Sequence, residues 1–156
     1  MTMQVWIAVL VGLAATVDDL ARRQIANWIP AAALAGGFGW QIGQDGWRGA
    51  LHALTGAGAG FVVFLAFYLL GGMGGGDVKL MAGFGALLGT GRLLEAALWT
   101  AGAGGLLALG AVIYQSARRR FGPARIETAE EKERGDSIPY APAITIGVWL
   151  SLVPKG

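Results

Sequence analysis

Residues 50–70 read ALHALTGAGAGFVVFLAFYLL, an apolar run that contains no Asp, Glu, Lys or Arg. Such a run is long enough to cross a bilayer as one helix, since about 20 apolar residues span the hydrocarbon core. The whole chain has 156 residues, of which 54% are hydrophobic, and it contains 27 glycines. This composition is typical of a polytopic membrane protein, because a water-soluble domain needs more polar surface.

Five further apolar runs lie between polar breaks on either side of this one. We therefore predict an all-α fold, a single membrane domain of residues 1–156 built as a bundle of six transmembrane helices. Several runs are shorter than a full crossing, but flanking polar residues can lengthen each helix. Within the third span, Gly56 and Gly60 form a small-xxx-small pair that favours close helix packing inside the bundle. The predicted spans are residues 3–17, 28–42, 50–70, 78–88, 93–114 and 138–153.

The Lys and Arg residues between the spans predict the orientation of the bundle. Cytoplasmic loops carry an excess of both residues, and one set of loops contains nine of them against three in the other set. The loops with nine basic residues are therefore predicted to be cytoplasmic. They include a polar loop of about residues 116–137, and both termini are then predicted to lie outside. The nine residues are Arg22, Arg23, Lys79, Arg118, Arg119, Arg120, Arg125, Lys132 and Arg134, and the other three are Arg48, Arg92 and Lys155.

Two aspartates stand at the predicted cytoplasmic ends of different spans, Asp19 after the first span and Asp77 before the fourth. A carboxylate near hydrocarbon is costly, so such residues usually pair, handle ions or catalyse. Paired carboxyl groups hydrolyse peptides when one activates water and the other polarises the scissile carbonyl, which requires two different pKa values. Gly74, Gly75 and Gly76 allow a substrate backbone to come close. The pair therefore suggests an aspartyl protease that needs no metal or organic cofactor.

Both aspartates also have purely structural interpretations. Asp77 follows a glycine-rich turn and can be the N-cap of a helix. Asp18 and Asp19 can form interfacial ion pairs with Arg22 and Arg23. Adjacent residues on a helix point about 100° apart, so only one of Asp18 and Asp19 can easily face a common site. A non-enzymatic transporter or assembly subunit, whose acidic residues move protons or hold salt bridges, is therefore an alternative.

Three motifs resemble the prepilin peptidase family and occur in that family's order: DLARRQIAN at residues 19–27, GGGDVKL at 74–80 and IPYAPAITIG at 138–147. The second motif contains the GxGD element, and Asp19 matches the first catalytic aspartate by its distance from Asn27. The resemblance implies catalysis by Asp19 and Asp77 at the cytoplasmic face of the bacterial inner membrane. The implied reaction is removal of the basic leader from type IV prepilins. Another GxGD-type intramembrane protease is the alternative enzyme.

Within this family the chain looks like the short form found with Flp-type pili and tight-adherence secretion systems. The larger members carry an N-terminal methyltransferase region with cysteines, whereas this chain has no cysteine and starts with an apolar span, so we expect no N-methylation. The implied partners are a Flp-like prepilin and the lipid bilayer, and contact of the 116–137 loop with pilus-assembly or secretion machinery is a hypothesis. The formal net charge of +2 is too small to indicate nucleic-acid binding.

Four further residues of these motifs are candidates for substrate binding or loop support. Lys79 can hold the leader or the Asp77 loop, although a lysine that extends to the lipid headgroups is an equal alternative. Asn27 is expected to cap the second helix rather than to touch substrate. Pro139 and Pro142 can form a wall of the substrate cleft, as the resemblance implies, or only kink the chain where it enters the membrane.

Overall fold

The computed structural model describes residues 2–70, 73–121 and 140–153, and all regular structure within these ranges is helical. The all-α prediction is confirmed. Three helices are long and apolar enough to cross a membrane, whereas the last one has 12 residues. The helices are α1 (Met3–Arg22), α2 (Trp28–Leu69), α3 (Gly75–Phe121) and α4 (Ala141–Leu152).

The helix α2 folds back on itself at Asp45 and Gly46, where the backbone leaves helical geometry. A straight helix of its 42 residues would be about 63 Å long, roughly twice the thickness of the hydrocarbon core. Gly46 has a φ of 55°, a left-handed value that glycine adopts without steric strain. Gly49 then approaches the carbonyl of Gln41 so closely that a Cβ would collide with it. The turn thus lies in the predicted gap between residues 42 and 50.

The helix α3 is broken at Gly89, whose φ of 67° and ψ of 176° are not helical. The segment before this break lies at the centre of the fold, because Leu80, Met81, Phe84 and Leu87 are completely buried. Next to the break, the Leu87 carbonyl accepts hydrogen bonds from Gln4 Nε2 at 2.8 Å and from Gln41 Nε2 at 3.4 Å. Hydrocarbon offers no hydrogen-bond partners, so these two side chains satisfy a carbonyl that an unbroken helix would satisfy internally.

Glycines let both halves of α2 pack closely against the first segment of α3. In the second half, Gly56 touches the carbonyl of Gly85, and a Cβ on Gly60 would lie 2.6 Å from the carbonyl oxygen of Met81. Gly37 in the first half makes a similarly close approach to the same segment. Packing of Gly56 and Gly60 inside the bundle is therefore confirmed.

The short helix α4 is held against α1 by side-chain hydrogen bonds to main-chain carbonyls. Thr145 Oγ1 donates to the carbonyl of Gly12, and Trp149 Nε1 donates to the carbonyl of Ala8, both at 3.1 Å. Such bonds and small residues are the usual means of joining apolar helices in a membrane. They fix the start of α4 beside the carboxyl-terminal end of α1.

The helix ends differ from the predicted spans at several places, and α3 begins at Gly75 rather than at residue 78. α1 continues past residue 17 and ends at Arg22. A helix ends where its last carbonyls find hydrogen-bond partners and not at the first charged residue. Here the N–H of Arg23 donates to the Asp19 carbonyl at 2.8 Å. α3 extends to Phe121, so the first part of the predicted loop 116–137 is helical, and the rest of that loop lies outside the described residues. α4 begins at Ala141 rather than at residue 138.

Large apolar side chains cover the outside of the bundle. Leu10, Leu13 and Val17 are exposed on α1, and Leu94 and Leu98 are exposed on α3. Continuous apolar surface of this kind marks contact with lipid or with another protein. Together with the lengths of α1, α2 and α3, it fits a protein whose helices lie in a membrane.

Candidate active site

Asp19 lies near the carboxyl-terminal end of α1, and only 7% of its surface is exposed. Its Oδ2 accepts a hydrogen bond from the main-chain N–H of Ala141 at 3.0 Å. Ala141 is the first residue of α4, so this N–H is one of those that a helix N-terminus leaves without a partner inside the helix. The last described helix thereby orients a carboxyl group that belongs to the first.

Asp77 lies in the first turn of α3, where 6% of its surface is exposed. Its Oδ2 accepts the N–H of Gly74 at 3.0 Å, and its own N–H donates to the Gly74 carbonyl at 3.1 Å. A side chain in the first turn that reaches back to the residue before the helix is half of a capping box. Asp77 therefore stabilises the helix start without being its N-cap. Its Oδ1 is buried and accepts no hydrogen bond from the described residues.

Asp19 and Asp77 line one cavity of about 350 Å³. Their carboxyl groups are close enough to interact electrostatically. Two carboxyl groups that share a water-accessible cavity can divide the work of activating water and polarising a carbonyl. Within residues 2–70, 73–121 and 140–153, no three acidic or histidine side chains are grouped as metal ligands. The remaining lining residues are Arg23, Gln24, Ile25, Asn27, Gly74, Gly75, Gly76 and Lys79.

The model of the type IV leader peptidase family matches residues 6–109, about two thirds of the chain, including both aspartates of the cavity. The chain belongs to the type IV leader peptidase family. Searches of curated proteins and of solved structures found no significant match. As a member of this leader peptidase family, the chain is an aspartic-type protease, and the family implies a prepilin as its substrate. The three long apolar helices among the described residues fit a membrane protein, as does the family.

Asp18 of this leader peptidase is directed to the loop between α1 and α2. Its Oδ2 accepts the N–H of Ala26 at 2.8 Å, and its Oδ1 lies 3.3 Å from Nε of Arg22. The ion pair predicted between an interfacial acid and a neighbouring arginine is confirmed for Asp18 and Arg22. Asp18 does not line the cavity, whereas Asp19 does.

Asn27 and Lys79 join the loop after α1 to the start of α3. Lys79 Nζ donates to Asn27 Oδ1 at 3.0 Å. Asn27 takes the predicted N-cap position before Trp28, but its side chain makes no capping hydrogen bond. Its backbone has helical φ and ψ of −58° and −23°, whereas a capping side chain usually requires an extended backbone.

Only one of the two prolines of the third motif, Pro142, lies among the described residues. Pro142 lies in the first turn of α4, where the fixed φ of proline suits a helix, and it does not line the cavity. Pro139 lies outside the described residues. In the described part of this motif, the main-chain N–H of Ala141 contacts the site by donating to Asp19, whereas Pro142 does not contact the cavity.

Three cavity residues of the leader peptidase were not predicted: Arg23, Gln24 and Ile25. Arg23 has a φ of 56°, a left-handed conformation that is uncommon for a residue with a Cβ. It is also near enough to interact electrostatically with Asp19. The signal is present in the sequence, because Arg22 and Arg23 stand three and four residues after Asp19, but membrane orientation accounts for them fully.

Proposed function

We propose that this protein is an endopeptidase of the bacterial cytoplasmic membrane that removes the basic leader from Flp-like type IV prepilins, with Asp19 and Asp77 as its catalytic residues. The observation that carries this proposal is the burial of two carboxyl groups from different helices in one cavity. Burying carboxyl groups costs free energy, and such groups in a cleft are frequent in active sites. The geometry therefore supports catalysis over a purely structural role.

In the proposed reaction, one carboxylate takes a proton from a water molecule whose oxygen attacks the scissile carbonyl carbon. The other carboxyl group, in its protonated form, donates a hydrogen bond to the carbonyl oxygen. When the C–N bond breaks, a proton passes to the leaving amine. The products are a leader ending in a carboxylate and a pilin with a new amino terminus. Asp77 Oδ1 is buried and accepts no hydrogen bond from the described residues, so its capacity to accept one is unused.

The glycines at residues 74–76 are the proposed docking surface for the cleavage site. All three line the cavity beside Asp77. An extended peptide can bind such a segment through main-chain hydrogen bonds, and the lack of side chains leaves room for it. A peptide bond inside a helix is shielded from attack, so the junction between leader and apolar helix has to unwind at the membrane surface. Lys79 and Asn27 would support this loop from the side.

The proposed orientation has both aspartates at the cytoplasmic face, and it follows the excess of Lys and Arg on that side. Six crossings are part of the same proposal. The breaks at Asp45, Gly46 and Gly89 divide the described helices into six segments, which supports that number. The proposed activity is leader cleavage without N-methylation, in keeping with the resemblance to the short form.

Co-expression of the full chain with a Flp-type prepilin tests the proposal. The wild type should convert the prepilin to a shorter product, whereas Asp19→Asn and Asp77→Asn at matched membrane levels should lower cleavage more than 100-fold. Asp45→Asn is the matched control, because Asp45 is exposed at the turn of α2 and does not line the cavity. The mass of the product should correspond to an unmethylated amino terminus.

Other outcomes distinguish the alternatives. An intact prepilin beside correctly inserted wild type would mean that the substrate or the activity is wrong, and cleavage of signal-peptide remnants instead would favour the other GxGD-type protease. Full cleavage by either asparagine variant would overturn the catalytic pair. A transporter or assembly subunit would leave the prepilin uncut in every variant.

A further inference from the structure

We infer that Asp18 is a positioning residue of this site: it holds the loop of residues 23–27 against the start of α3 and takes no part in the bond-breaking steps. The inference rests on the proposed function, because it concerns the same cavity. It assigns a role to the acidic neighbour of Asp19, which the sequence motif leaves unexplained.

The carboxylate oxygens of Asp18 are engaged by Arg22, the last residue of α1, and by Ala26 in the loop that follows. Oδ2 accepts the N–H of Ala26 at 2.8 Å, and Oδ1 lies 3.3 Å from Nε of Arg22. A hydrogen bond from a main-chain N–H to an ionised carboxylate is about twice as strong as one between neutral groups. Asp18 therefore closes the loop by linking the last turn of α1 to the residue before Asn27.

The loop that Asp18 closes forms one wall of the cavity. Ile25 lies against Gly76, the residue before Asp77, and Asn27 accepts a hydrogen bond from Lys79 at 3.0 Å. The loop is thus attached at two points, to α1 through Ala26 and to α3 through Asn27. The residues before these two points, Arg23, Gln24 and Ile25, line the cavity.

The loop needs such attachments because its first residue is strained. Arg23 has a φ of 56°, a conformation that residues with a Cβ keep only where the surrounding structure enforces it. The N–H of Arg23 bonds the Asp19 carbonyl, and the Asp18 bond to Ala26 holds the chain three residues further on. Without the second bond, the loop loses its side-chain link to α1, and the cavity wall moves away from Asp77.

Kinetics of purified full-length protein in detergent, with a Flp-type prepilin as substrate, test this role. Asp18→Ala should lower kcat about ten-fold and change KM less than two-fold, because small displacements of catalytic groups reduce the rate more than binding. Asp18→Asn keeps an acceptor oxygen for the Ala26 N–H and should stay within about three-fold of wild type. Arg22→Gln removes only the ion pair, and its kcat should stay within two-fold.

Ala26→Pro tests the hydrogen bond from its other end, because proline has no N–H to donate and also restricts the loop. In the Ala26→Pro background, Asp18→Ala should change kcat less than two-fold, so the two substitutions are not additive. An equal ten-fold loss from Asp18→Ala in both backgrounds would overturn the inference. The comparison of Asp18→Asn with Asp18→Ala stands independently if Ala26→Pro does not fold.

Two further results separate this inference from the proposed function. If Asp18→Asn is as inactive as Asp19→Asn, Asp18 is a catalytic group and its positioning role is overturned. If Asp18→Ala keeps the wild-type kcat while Asp19→Asn and Asp77→Asn are inactive, the positioning role is overturned and the proposed function stands. Cleavage by the Asp19 or Asp77 variants would overturn the proposed function whatever Asp18 does.

Discussion

Ile25 packs directly on Gly76, so that a Cβ built on Gly76 would lie 3.1 Å from the Cβ of Ile25. That separation is shorter than nine in ten real Cβ contacts, so the loop or the start of α3 would have to move by a few tenths of an ångström. Gly76 immediately precedes Asp77. The loop after α1 and the turn that carries Asp77 are thus in contact without space for one methyl group.

Gly76→Ala should therefore impair the site without unfolding the protein. We expect prepilin cleavage to fall about five- to ten-fold at matched membrane levels, since small displacements of catalytic groups reduce rates strongly. Gly58→Ala is the control, because a Cβ at Gly58 meets no atom within 4 Å, and its cleavage should stay within two-fold of wild type. Equal activity of both variants would show that the loop yields without disturbing Asp77.

The contact between Gly56 and Gly85 predicts a different effect, on stability. A Cβ on Gly56 collides with the carbonyl of Gly85, a main-chain group that cannot rotate away. Gly56→Ala should destabilise the fold by about 1–3 kcal/mol. Gly58→Ala, two residues away in open space, should be neutral or stabilising, by up to about 1 kcal/mol. Thermal unfolding in detergent measures both, and a Gly56→Ala protein as stable as Gly58→Ala would contradict the close packing.

The hydrogen bond between Lys79 and Asn27 predicts coupling between two loops. It lies at an exposed position, so Lys79→Met or Asn27→Ala should each reduce the free energy of unfolding by about 1 kcal/mol or less. Because each variant removes the same bond, the double variant should be no less stable than the worse single one. Denaturation of the four proteins gives the coupling. Strictly additive losses would mean that the two side chains act separately.

The pair Gln4 and Gln41 predicts a stability effect that leaves catalysis intact. Replacing both by Leu leaves the Leu87 carbonyl without these donors and should cost about 1–3 kcal/mol. Gln41→Leu alone should cost less, since Gln4 makes the shorter bond at 2.8 Å. Leu87 lies roughly 15 Å along α3 from Asp77. The kcat of folded protein should therefore equal that of wild type, and a fall in kcat would argue for long-range coupling.

The sequence predicts much of the helical layout because breaks in apolar helices have a clear composition. Asp45 and Gly46 interrupt α2 within the predicted gap, and Gly89 interrupts α3 directly after residue 88. Both breaks use glycine at a positive φ, which no other residue adopts as readily. Helix ends are predicted less well, because α1 passes through Asp18 and Asp19 where the apolar pattern has already stopped.

The candidate site is predicted in its acids and glycines but not in the groups that hold them. Motif spacing is visible in the sequence, whereas the Ala141 donor to Asp19 depends on packing between residues 122 positions apart. The loop shows the same limit. Only the fold shows that the N–H of Ala26 is bonded to Asp18.

The bond from Ala141 to Asp19 has a consequence for how the protease matures during synthesis. Both aspartates emerge from the ribosome in the first half of the chain, but the donor that orients Asp19 belongs to α4. A nascent chain that has not yet inserted α4 therefore carries both acids in an incomplete arrangement. We expect hydrolytic competence to begin only when α4 docks against α1.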